Sequence, residues 1–101
     1  MTTSPNLEQW NFAFICLVQA TIGAITGNFR MIGLENDGRR WILHFWLEDD
    51  IAEDREEIED IKFEFDNFAG DVDAGLIIEV TSADLRVPEL PFRVVFRRRE
   101  S

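Results

Sequence analysis

The sequence predicts an α+β fold, ordered α-β-β-α-β-β, with an antiparallel four-stranded sheet and two helices packed on one of its faces. Three observations lead there. Two segments space their apolar residues at three and four positions, the helical period. Four shorter segments alternate apolar and polar residues or concentrate β-branched ones, as strands do. Asn, Asp, Gly and Pro cluster between these segments, where turns form. At 101 residues the chain has room for a single domain, residues 1–101, and not for two.

The first helix opens at Ser4-Pro5, where Ser caps and Pro sits in the first turn without losing a needed N–H. Leu7, Trp10, Phe14, Leu17, Val18, Thr21 and Ile25 form its inner face. Phe12, Ile15 and Cys16 widen the apolar band, so cover on more than one side is expected. Gly27-Asn28 closes it, since both residues accept the left-handed cap conformation. Phe29 to Glu35 is a strand weakened by Gly33, and Asn36-Asp37-Gly38 is a tight hairpin turn. The second strand, Arg40 to Leu47, points Trp41, Leu43, Phe45 and Leu47 one way and Ile42, His44 and Trp46 the other.

The second helix runs from about Ile51 to Phe68, with Ile51, Asp54, Ile58, Ile61, Phe65 and Phe68 on one face. Ile61, Phe63 and Phe65 also alternate with Lys62 and Glu64, a strand pattern. Helix is preferred because Glu and Arg run through the segment and no turn residue interrupts it. Phe63 then points away from the core. Asp71-Val72-Asp73 is a turn, Leu76 to Thr81 the third strand, Ser82 to Pro91 a loop with two prolines, and Phe92 to Arg98 the last strand.

Composition excludes several functions. Asp and Glu total 20 against 10 Lys and Arg, a net charge of −10, which opposes nucleic-acid binding and docking on an anionic membrane. Cys16 and His44 are the sole residues of their types. One Cys closes no internal disulfide and suits a reducing compartment, so a cytoplasmic location is expected. The usual Cys/His zinc ligands are lacking. Asp71-Val72-Asp73-Ala74-Gly75 imitates the start of a calcium loop without its spacing or closing Glu. His44 has no recognisable catalytic companions, and no Gly-rich phosphate loop follows a strand. No enzyme activity, metal or cofactor is therefore expected. Residues Trp10 to Ile25 lack the basic flank of a signal peptide and the length of a bilayer span.

One segment stands out. From Glu48 to Asp73 there are thirteen carboxylates and two bases, Arg55 and Lys62. Like charges at helical spacing cost about 0.2–0.5 kcal/mol per pair, and solubility alone needs no such density. A basic partner would turn that repulsion into attraction. The candidate contact residues are Glu53, Glu56, Glu57, Glu59, Asp60 and Glu64, with Phe63 or Trp46 as the desolvated anchor. Trp46 is exposed if helices cover one sheet face only, and covered if the N-terminal segment or the Ser82 to Pro91 loop lies on it. Arg97-Arg98-Arg99 is the one basic cluster, too small against so much acid to imply nucleic acid.

The chain resembles small immunity proteins of contact-dependent growth inhibition and related polymorphic toxin systems. An apolar N-terminal helix is followed by Gly27-Asn28-Phe29-Arg30 at the hairpin. Ile58-Glu59-Asp60-Ile61 and Glu64-Phe65 lie in the acidic helix, and Leu90-Pro91 precedes the closing Val94-Val95-Phe96-Arg97-Arg98. The resemblance implies a protein without catalytic residues that binds the C-terminal toxin domain of a secreted effector, often a nuclease. Two rival readings from other classes are a small module that self-associates as a homodimer through its apolar sheet face, and a DNA mimic that inhibits a DNA-binding protein.

Overall fold

A helix between two strands determines how this sheet is built. The computed structural model describes residues 4–100. Its elements are α1 (Leu7–Thr21), β1 (Phe29–Asn36), β2 (Trp41–Leu47), α2 (Ala52–Phe68), β3 (Gly75–Val80) and β4 (Phe92–Arg97), in the predicted order. Across the sheet the strands run β3-β2-β1-β4. β1 is antiparallel to both β2 and β4, but β2 and β3 are parallel. The sheet is mixed, which corrects the antiparallel expectation. The cause is α2: it carries the chain back to the end of the sheet where β2 began, so β3 starts beside β2 in the same direction. β3 and β4 are thereby left at opposite edges, and the segment between them crosses the sheet.

Both helices pack on one face of the sheet. Ile32, Leu34, Leu43, Phe45 and Leu47 meet Ala13, Cys16, Leu17 and Ala20 of α1 and Ile58, Ile61 and Phe65 of α2 in one buried cluster. Trp10 and Trp41 add an edge-on contact at 4.9 Å. The hairpin closes as its residues suggest. Asn36 Oδ1 accepts from the Gly38 N–H at 2.8 Å, Asp37 Oδ1 accepts from the Arg39 and Arg40 N–H groups, and Gly38 takes φ +90°. Gly33 has a packing role: a Cβ there would stand 2.0 Å from the Phe92 ring, which lies over it.

α1 departs from expectation at both ends. Its cap is Asn6, not Ser4. Asn6 Oδ1 accepts from the Gln9 N–H at 2.9 Å while Gln9 Oε1 accepts from the Asn6 N–H at 2.8 Å, a reciprocal box. The helix stops at Thr21, well before Gly27-Asn28, and Gly23 turns the chain at φ +78°. Asn28 does other work. It bonds both the backbone N–H and the C=O of Asp49 at 2.8 Å and donates to Asp54 at 2.9 Å, joining the start of β1 to the entry of α2. Nor is α1 covered on more than one side: Leu7, Phe12, Ile15, Val18 and Ile22 are all exposed.

Candidate functional site

α2 has no side-chain cap at Ile51, but Glu53 and Asp54 lie in its first turn, where the helix dipole favours negative charge. Asp54 is buried and accepts from Thr26 Oγ1 at 3.2 Å as well as from Asn28. With Ile58, Ile61 and Phe65 it forms the buried stripe that turns the rest of the helix outward. Phe68, expected on that stripe, is instead exposed as the last residue of the helix.

The outward face collects most of the predicted contact residues. Glu53, Glu56, Glu59, Asp60, Phe63 and Glu64 are exposed, and Glu57 is half-buried. Phe63 is 67% exposed. Glu56, Glu59, Asp60 and Asn67 stand seven, four and three positions before it and four after, which brings them around its ring on one helix face. The segment's two bases are engaged elsewhere. Arg55 pairs with Asp50, and Lys62 reaches Asp66 at 2.6 Å and Asp73 at 3.0 Å. These bonds hold the Asp50 and Asp73 carboxyls below their ordinary value. Among the described residues, none of Glu53, Glu56, Glu57, Glu59, Asp60 and Glu64 has an ion-pair partner. The result is an aromatic side chain standing in water within a field of uncompensated negative charge.

Trp46 is elsewhere. It is 1% exposed, on the sheet face away from the helices. The segment from Thr81 to Glu89 roofs that face together with Glu35, His44, Ile77 and Glu79 around a cavity of about 510 Å³. Trp46 stacks on His44 at 3.6 Å and meets Phe92 edge-on at 5.8 Å. It therefore presents no surface to a partner while that loop is in place. Arg30 holds the roof down. Its Nη1 donates to the Thr81 and Ala83 carbonyls at 2.7 and 2.8 Å, and its other nitrogens clasp Glu100. Arg30 and Arg98 together pull the Glu100 carboxyl down to about 2.

His44 lies beneath the same roof. Its Nδ1 is bonded to the buried Glu35 carboxylate, and its Nε2 stands 3.3 Å from Glu79 Oε1. Sequence reading did not foresee this cluster, because Glu35 and Glu79 come into reach of His44 only through the strand register. Cys16 is buried, and burial raises its thiol pKa, which disfavours the reactive thiolate. Arg98 bonds Glu48 and Glu100, so part of the basic cluster pairs with the chain's own acids.

Among the described residues, no helix is long and apolar enough to cross a membrane, and no three His, Cys, Asp or Glu side chains gather as metal ligands. A family model described as MafI2 immunity protein matches residues 11–100, which takes in α1 from its second turn, the whole of α2 and all four strands. No curated protein matches the chain.

Proposed function

Because the chain belongs to the MafI2 immunity protein family, we propose that it neutralises a toxin protein by stoichiometric occlusion through the outer face of α2. One observation carries this reading: Phe63 is exposed among Glu53, Glu56, Glu57, Glu59, Asp60 and Glu64, and among the described residues none of these carboxylates has an ion-pair partner. In isolation the arrangement is costly, since like charges repel and an apolar ring is left in water. Against a basic surface both costs reverse. The carboxylates accelerate encounter, and the ring becomes the desolvated anchor inside a charged rim.

The partner that fits is a basic toxin domain, such as a nuclease whose substrate groove binds phosphate. Glu53, Glu56, Glu57, Glu59, Asp60 and Glu64 would take the place of phosphates in that groove. The domain would be the C-terminal part of a secreted effector, as in contact-dependent growth inhibition, and the complex would form in the cytoplasm. No residue of this chain is assigned a catalytic role.

Co-expression with the toxin domain encoded immediately upstream tests the proposal. Growth should be restored, and the two chains should co-purify in equal amounts. A harmless or non-binding domain would contradict it. Binding to several DNA-binding proteins in competition with duplex DNA would point to a DNA mimic instead.

A further inference from the structure

We infer that the toxin interface extends from α2 onto the exposed apolar stripe of α1, so that one helix steers the toxin and the other holds it; this rests on the reading above. α1 and α2 lie in one layer on the same sheet face and share one core cluster, so their outward surfaces adjoin. α1 packs inward through the buried Ala13, Cys16, Leu17, Ala20 and Thr21, flanked by the half-buried Trp10 and Phe14. Phe12, Ile15 and Val18 on its outer side, and Ile22 at its C-cap, remain in water, Phe12 at 55% exposed and Ile22 at 76%. Glu8 is the one charged residue of this helix.

Two physical arguments assign this stripe to the toxin. The first is area. At ~1.5 Å per residue and ~10 Å across, the 17 residues of α2 give a footprint of about 260 Å². A stable complex takes roughly 800 Å² from each partner, so α2 alone supplies about a third. The 15 residues of α1 nearly double the footprint without a gap. The second is composition. Interface centres are depleted of charge and rich in apolar and aromatic side chains, with polar residues at the rim. α2 has the rim chemistry, with Phe63 amid it and Phe68 at its end; α1 has the charge-free centre. The toxin surface that matches is a basic patch bordered by an apolar strip.

Kinetics separate the two roles, because rim charges act on association while desolvated apolar contacts act on dissociation. Two variants are compared with the unaltered chain for binding to an active-site-inactivated toxin domain. One combines Phe12→Ser, Ile15→Ser and Ile22→Ser; the other combines Glu56→Lys and Asp60→Lys. Circular dichroism and thermal unfolding check that both fold. The α1 variant should raise the dissociation rate about tenfold or more and leave the association rate and its salt dependence within about twofold. The α2 variant should lower the association rate.

If the α2 variant behaves so but the α1 variant dissociates normally, the α1 inference is overturned and the α2 reading stands. If only the α1 variant has its effect, the α2 reading fails and α1 remains the contact. Absence of binding by the unaltered chain overturns both. Sedimentation adds one further outcome. A dimer of the unaltered chain that the α1 variant dissolves would assign the stripe to a second copy and overturn the inference.

Discussion

α1 and α2 pack side by side on one sheet face, yet they differ in almost everything else. α1 has one charged residue in fifteen, whereas α2 has ten in seventeen. α1 is capped by a reciprocal side-chain box; α2 has no side-chain cap. α1 leaves aliphatic and aromatic residues in water, while α2 leaves carboxylates and two Phe, Phe63 and Phe68. The sheet asks the same of each helix, a narrow buried stripe. What lies outside that stripe is not dictated by the fold, and it is there that the two diverge. Chemistry that the fold does not require is where function is sought.

Breaking the stripe gives the largest expected effect. Phe65→Ala should cost about 3–5 kcal/mol of stability in denaturant unfolding, because it empties a fully buried site. Phe63→Ala, two residues away on the outer face, should change stability by less than about 0.5 kcal/mol while weakening the toxin complex. Equal stability losses would mean that Phe63 is a packing residue and the contrast between stripe and surface is false.

Next comes the joint between the start of β1 and the entry of α2. Asp54→Ala leaves Thr26 without its acceptor and Asn28 with one of its two, and should cost about 1–3 kcal/mol. Asn6→Ala removes the box at α1 and should cost about 1 kcal/mol, with the loss of protection confined to the first turn by hydrogen exchange. Glu56→Gln has the opposite sign. Relief of its repulsion with Asp60, four residues on, should raise stability by about 0.2–0.5 kcal/mol while slowing toxin association. A simultaneous loss of both would argue that the acidic face supports the fold rather than a partner.

Glu100 provides a contrast in pH. Its carboxyl lies at about 2 when folded against an ordinary 4.5, held there by Arg30 and Arg98. A folded value below the unfolded one means that its stabilisation is fully present above about pH 4.5 and is lost as the pH falls through about 2. The stability gap between the unaltered chain and Glu100→Gln should therefore close on acidification across that window. A gap independent of pH would show that the Arg30 clasp does not depend on the carboxylate charge.

How far the fold could be read depended on contrast within each segment. α2 was legible to within a residue because Ile58, Ile61 and Phe65 stand out against acids, and that also placed Phe63 outside. α1 was over-extended and over-buried because apolar residues cover most of its circumference. Hydropathy cannot distinguish Leu17, which is buried, from Ile15, which is not. The hairpin was legible in Asn36-Asp37-Gly38, since those side chains make the turn themselves. The parallel β2–β3 pair was not, because strand direction is set by how α2 returns the chain and not by the composition of β3. Trp46 and the Glu35–His44–Glu79 cluster were hidden for a related reason: the Ser82 to Pro91 loop that covers them owes its path to the opposite-edge placement of β3 and β4.

The most direct test is the association rate of this chain with its toxin domain as a function of ionic strength, for the unaltered chain and for Glu56→Gln, Glu59→Gln and Asp60→Asn combined. A steered encounter predicts a rate that falls steeply with salt in the unaltered chain. In the variant it should be about tenfold slower at low salt, with a flatter slope. Equal rates and equal slopes would contradict the assignment of the α2 face to the toxin.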